Sequence, residues 1–269
     1  MPGSARSNPF LDRLRAGELT LLLAIRSSRT NEIVRIAKAT GHHAIMVDLE
    51  HSAISVAIAA EMCGCANDLG LTPFVRTPER DYGILGRLLD GGAAGIIAPR
   101  IETAEQADEL SRACRFPPAG QRSQLAMVPQ FGMRPMPAHE LNPLLDAGTI
   151  VQALLETPAG IQNAAAIAAL NGIDMLGLGA NDLCAELGIP GKFADIRVRN
   201  CIATAAEACN SHGKLLMLGG IVDLEIVKSL LPLGIAPLYM TGTDTDILFS
   251  GGEQRSRRLA DWHRAMNGN

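Results

Sequence analysis

Eight times along its 269 residues this chain passes through a short block of aliphatic and β-branched side chains and then into a stretch with helical periodicity. That alternation is the mark of βαβ units, because parallel strands must be joined by a crossover, usually a helix. The pattern predicts strands at about 20–25, 44–48, 72–76, 95–98, 149–155, 173–178, 214–218 and 236–240. Helices are expected at about 30–40, 54–69, 80–91, 104–114, 158–170, 198–212, 223–231 and 244–265. Aromatic residues make up only 3% of the chain and hydrophobic residues 47%, so Ala, Leu, Ile and Val must build the core, as strands buried on both faces require.

Eight such units also fit a doubly wound sheet, but that fold places a Gly-rich phosphate turn after its first strand. Here the turn reads Arg26-Ser27-Ser28-Arg29-Thr30, without glycine. The fold class expected is therefore α/β, a (β/α)8 TIM barrel forming one domain over residues 1–269. Two connections are long: 116–148, with six prolines, and 180–197. Long connections in compact domains tend to wall functional sites.

The formal net charge is -4, with no run of Lys or Arg, which excludes a nucleic-acid footprint. The longest apolar runs, such as 19–25, fall far short of the roughly 20 residues needed to span a bilayer. Residues 1–10 show no hydrophobic signal region, so the expected location is cytoplasmic, with no membrane partner. The six cysteines lack metal-binding spacing and are expected to be reduced, with Cys63 and Cys65 facing different directions on one helix.

In such barrels chemistry sits at the C-terminal ends of the strands. The expected ends carry Arg26, Asp48 to His51, Arg76, Arg100 and Glu156, with Asp182 just after strand six, Gly219-Gly220 after strand seven and Thr243-Asp244 after strand eight. Glu156 and Asp182 close adjacent strands, and two hard oxygen ligands with open positions suit Mg²⁺ or Mn²⁺ better than zinc. The competing reading is that each caps the helix that follows. Arg76 ends an apolar strand and needs either a protein carboxylate or an anionic substrate. His51, beside Asp48 and Glu50, is placed either for proton transfer or for simple hydrogen bonding. The four lysines, Lys38, Lys192, Lys214 and Lys228, end no strand, which argues for a metal against a Schiff base as the means of stabilising a carbanion.

From about residue 19 to 265 the chain resembles the HpcH/HpaI aldolase family, the class II pyruvate aldolases. The resemblance rests on Asp48-Leu49-Glu50-His51, Pro73-Phe74-Val75-Arg76, Leu88-Leu89-Asp90-Gly91-Gly92, Arg115-Phe116-Pro117-Pro118-Ala119-Gly120-Gln121-Arg122, Leu155-Glu156-Thr157, Gly179-Ala180-Asn181-Asp182-Leu183 and Gly242-Thr243-Asp244-Thr245, in this order and spacing. It implies a barrel of the phosphoenolpyruvate/pyruvate-binding type that cleaves or forms 4-hydroxy-2-oxo acids through a pyruvate enolate, with an aldehyde or ketone as acceptor. It also implies a divalent metal (Mg²⁺ or Mn²⁺, with Co²⁺ accepted) on Glu156 and Asp182, and Arg76 on the oxygens of pyruvate. His51 would then be the base, oriented by Asp90, with the backbone at Asn181 and Asp182 contacting the pyruvate carboxylate. The assembly implied is a homohexamer in which the last helix, about 244–265, packs on a neighbouring subunit.

The chain departs from the family pattern at Leu154, where many members carry Gln, and at Ala180, where they carry Pro; Gln152 compensates only if the strand register differs. Arg26 stands where members place an apolar or aromatic residue. It is expected either to favour an acceptor carrying a carboxylate or to pair with Glu50 or Asp244 as a structural bridge. Acyl-CoA lyases of the citrate lyase β-subunit or malyl-CoA lyase type resemble Asp-Leu-Glu-Asp where this chain ends in His51. A non-catalytic metabolite-binding barrel would share the fold without the chemistry.

Overall fold

The strands of a computed structural model, which describes residues 8–268, are β1 (Thr20–Ile25), β2 (Ala44–Asp48), β3 (Thr72–Arg76), β4 (Gly95–Ala98), β5 (Ile150–Leu155), β6 (Met175–Gly179), β7 (Leu215–Gly219) and β8 (Leu238–Thr243). All pairings are parallel, in the order β7-β6-β5-β4-β3-β2-β1-β8, a barrel whose ladder is open only between β7 and β8. This sequential order excludes the doubly wound alternative, in which the strand order reverses. The part of the N-terminal stretch before residue 8 lies outside the described residues.

Side chains alternate as the pleat requires. Leu22, Ala24, Met46, Phe74, Ile97, Leu154, Met175 and Met217 fill the barrel interior, while Leu23, Ile25, Ile45, Val47, Val75 and Ile96 meet the helices outside. Gly95 makes room for this interior, since a Cβ there would lie 2.1 Å from the Phe74 ring. A helix not anticipated from periodicity, Pro9–Arg15, closes the bottom of the barrel: Asn8 caps it, and the Phe10 ring stacks at 5.1 Å from Phe74. With that end plugged, the mouth at the C-terminal ends of the strands is the way in.

Each of the two long connections contains a helix, with irregular chain making up the rest. Residues Ala138–Gly148 form a helix despite Pro143, and its Leu141 and Leu145 join Phe116 and Val128 in a separate small core. The other connection opens with the helix Ala180–Glu186, directly after β6. All six cysteines are free; Cys63 and Cys65 are both buried, and burial pushes the Cys63 and Cys114 thiols up to about 12. Among the described residues no helix is long and apolar enough to cross a membrane. The last helix, Asp244–Met266, exposes Leu248, Phe249, Leu259, Trp262 and Met266 and buries only Asp244.

Candidate active site

A cavity of about 310 Å³ opens at the C-terminal ends of the strands, and Arg26, Asp48, His51, Arg76, Glu156, Asn181 and Asp182 all line it. Its floor is the apolar barrel interior, with Ala24, Met46, Ile97, Leu154 and Met217. No lysine lines the cavity; Lys214 lies at the opposite end, where its Nζ donates to the carbonyls of Leu170 and Ile173 at 3.1 and 2.5 Å. Schiff-base chemistry therefore has no amine to use here.

Neither carboxylate of the expected metal pair serves as a helix cap. The helix after β5 is capped by Thr157, whose hydroxyl accepts from the Gly160 N–H, and the helix after β6 starts at Gly179 without a side-chain cap. Glu156 is 3% exposed and its Oε2 accepts the Arg100 N–H at 2.9 Å. Arg100 presents that N–H from a left-handed conformation, φ 51°, which a non-glycine residue adopts at a cost of about 1–3 kcal/mol. Gly179 leaves the space Glu156 occupies, since a Cβ there would sit 2.6 Å from its Oε1. The Arg100 side chain turns away from the cavity to Glu186 at 3.0 Å.

Burial pushes the Glu156 carboxyl up to about 7; the Arg100 N–H and the Arg76 charge oppose this rise, and the neighbouring charges of Glu50 and Asp182 add to it. Carboxylates crowded beside a buried acid are what a divalent cation relieves. Among the described residues no group of three or more His, Cys, Asp and Glu is arranged to hold a metal. A hard cation here would have Glu156 and Asp182, which share the cavity and whose charges oppose each other, as its carboxylates, with water and substrate in its remaining positions.

The raised pKa has a consequence for the metal-free protein. Folded Glu156 holds its proton more tightly than the unfolded chain does, so stability falls as pH rises from roughly 4.5 to 7 and stays lower above that. Glu156→Gln removes the buried charge, so in chelator near pH 8 its Tm is expected to exceed that of wild type by roughly 5 °C, narrowing toward pH 5. Thermal melts at the two pH values check this, and a gap of the same size at both would contradict it.

Asp48 and Arg76 are the last residues of β2 and β3 and pair directly in register. Asp48 is fully buried, and Arg76 grips it twice, Nε to Oδ1 at 3.0 Å and Nη2 to Oδ2 at 2.7 Å. Burial pushes Asp48 up, but the Arg76 bonds and charge, with the His51 N–H, bring it below the usual carboxylate range. Arg76 also meets Glu50 at 3.1 Å through Nη1. Of the two partners expected for Arg76, the protein carboxylate is therefore present. The guanidinium has five N–H groups, of which the bonds to Asp48 use two. Sequence reasoning assigns Asp48 no role; the signal for it is that it and Arg76 end adjacent strands.

His51 is half-exposed at the rim, with its Nε2 3.6 Å from Glu50 and its backbone N–H bonded to Asp48. Asp90 is elsewhere: it ends the helix Leu85–Asp90, bonds Arg122 at 2.8 Å and does not line the cavity. Within the described chain its partner is Arg122. Arg26 bridges neither Glu50 nor Asp244 by its side chain; its Nε lies 3.4 Å from Asp48, and only its backbone N–H bonds Asp244. Gln152 shares the inward face of β5 with Leu154 and Glu156 but lies one step deeper, with Nε2 3.7 Å from the Met217 sulfur. It therefore does not take over the level at which Leu154 stands.

The sequence matches the HpcH/HpaI aldolase/citrate lyase family over residues 25–222. It is 39% identical to the 4-hydroxy-4-methyl-2-oxoglutarate aldolase of Hapsidospora irregularis, over 81% of this chain and 82% of that protein. It is 32% identical to a hydroxypyruvate/pyruvate aldolase of Roseobacter denitrificans, over 77% and 80%. The fold superposes on an HpcH/HpaI aldolase from Desulfitobacterium hafniense with a TM-score of 0.85 at 24% identity, covering 94% of this chain and 97% of that one. With the barrel, the paired strand-end carboxylates and these matches together, the chain belongs to the HpcH/HpaI aldolase/citrate lyase family.

Proposed function

We propose that this protein is a class II, divalent-metal-dependent aldolase that cleaves or forms 4-hydroxy-2-oxo acids through a pyruvate enolate. One observation carries the reading: Glu156, just after β5, and Asp182, in the first turn of the helix that follows the adjacent β6, share a lysine-free cavity with the Arg76 guanidinium. Glu156 and Asp182 would hold a divalent ion, Mg²⁺ or Mn²⁺ by the hardness of these donors, and that ion would supply Lewis-acid polarisation of the 2-oxo group. Arg76, locked by Asp48 and Glu50, directs its remaining N–H groups at the oxygens of pyruvate and fixes its orientation. The N–H groups at the start of the helix Ala180–Glu186, near Asn181, receive the pyruvate carboxylate. His51 moves the proton, since its imidazole is at the rim, open to solvent and beside Glu50. The names of the relatives from Hapsidospora irregularis, Chaetomium globosum and Roseobacter denitrificans, each an aldolase, support this reading. The exposed apolar side chains of the last helix support assembly with further copies of the chain, a hexamer by resemblance.

The test is exchange of the pyruvate methyl protons in D₂O, followed by proton NMR with added Mg²⁺ or Mn²⁺. Wild type should exchange them, and His51→Ala should slow the exchange by about 10²-fold or more, the scale of general-base catalysis. Unchanged exchange in His51→Ala would assign the base elsewhere, to Glu50 first.

A further inference from the structure

The proposed metal pair and Arg76 account for the pyruvate half of the reaction, while a second guanidinium, Arg26, lines the same cavity with no part in that half. Arg26 directly follows β1, and its Nε and the Arg76 Nη2 both approach Asp48 Oδ2, at 3.4 and 2.7 Å. Among the described residues, Arg26 and Arg76 are the basic residues, apart from His51, that line the cavity.

Arg26 is held as a binding group is held. Its backbone N–H bonds Asp244 Oδ1 at 2.9 Å, and Asp244 also takes the N–H groups of Ser27 and Ser28, which fixes the turn after β1. Its Nη2 donates to the His51 carbonyl at 3.2 Å, beside the proposed base. Its charge is only weakly met: Asp48 Oδ2 is 3.4 Å from Nε, beyond the 2.7–2.9 Å of a good charge-assisted bond, and Arg76 already occupies both oxygens of that carboxylate. The side chain remains 40% exposed, with the guanidinium on the cavity wall.

We propose that Arg26 is the specificity-determining residue for the second substrate and that this acceptor is an oxo compound bearing its own carboxylate. The planar fork matches a carboxylate edge, and with pyruvate held by Arg76 and by an ion on Glu156 and Asp182, Arg26 would be the guanidinium left for the acceptor. A phosphate would fit worse, because its second negative charge would meet Asp48 and Asp246 on the same stretch of wall. The assignment rests on the aldolase reading above and goes beyond it by naming the acceptor class.

The test compares wild type, Arg26→Gln and Arg26→Lys in aldol addition of pyruvate, with Mg²⁺ or Mn²⁺ present, to glyoxylate and to the uncharged glycolaldehyde of similar size. The readout is the ratio of kcat/KM for the two acceptors, which a purely structural role would not move. Arg26→Gln should lower that ratio by about 10- to 100-fold, the size of a charge-assisted contact, with Arg26→Lys in between. If Arg26→Gln does not fold, Arg26→Lys, which keeps the charge and loses the fork, should still lower the ratio by at least about threefold. Equal losses on both acceptors overturn the assignment and leave Arg26 a support for Asp48 and the β1 turn. Absence of turnover by wild type with either acceptor overturns the aldolase reading itself, and this assignment with it.

Discussion

Asp182→Asn and Glu156→Gln are each expected to lower turnover by about 10³-fold or more while leaving a folded barrel. Metal stabilisation of a developing oxyanion is worth several kcal/mol, and about 4 kcal/mol corresponds to that factor. If these two carboxylates hold the ion, as proposed, losing either leaves too little charge to retain a hard cation. The fold survives because neither residue supports the scaffold: Glu156 accepts a single backbone N–H, which the amide oxygen of Gln also accepts, and Asp182 caps nothing. Steady-state rates at saturating metal, with circular dichroism of each variant, check both halves. Near-wild-type rates in Asp182→Asn would remove it from the metal site.

Arg76→Ala is expected to damage stability and activity together, which separates it from the metal ligands. It strips the fully buried Asp48 of two bonds and its main counter-charge, leaving Arg26 at 3.4 Å as a poor substitute. Breaking a buried pair from one side costs about 3–5 kcal/mol, and the substrate loses its guanidinium as well. The unpaired charge is the chief source of that cost, so adding Asp48→Asn to Arg76→Ala should recover part of the stability and none of the activity. Denaturant midpoints across the four members of this cycle measure it. A double variant no more stable than Arg76→Ala would show that the packing of the arginine stem, not charge pairing, is what matters.

The barrel was legible because its strands are buried on both faces and therefore read as unbroken apolar blocks. The first four were placed to the residue, from Thr20–Ile25 to Gly95–Ala98. Strand β8 lies further along than periodicity indicated, at Leu238–Thr243, because Thr241, Gly242 and Thr243 read as a turn, and pairing with β1 across a register shift keeps them in the sheet. The helices Pro9–Arg15 and Ala138–Gly148 were missed for a related reason. Each is short, carries proline and is stabilised by what it covers, the barrel bottom and a small separate core, more than by its own spacing.

In the site, Glu156, Asp182, Arg76, His51 and Arg26 were legible as polar residues at the ends of apolar strands, and all line one cavity. What the sequence hides is pairing. The Asp48 and Arg76 clamp depends on the β2–β3 register, and the grip of Asp244 on the turn after β1 joins residues more than 200 positions apart. The Arg100 backbone contact with Glu156 depends on a left-handed φ that its side chain does not announce. Asp90 came only from the family resemblance, and the chain itself pairs it with Arg122.

The central claim, that an ion on Glu156 and Asp182 and no lysine adduct stabilises the carbanion, is tested most directly by cleavage of a 4-hydroxy-2-oxo acid in excess chelator, with and without borohydride. The account predicts that chelator abolishes cleavage, that Mg²⁺ or Mn²⁺ restores it, and that borohydride with pyruvate leaves the protein mass unchanged. Full activity in excess chelator, or a pyruvyl adduct fixed on a lysine by borohydride, would contradict it.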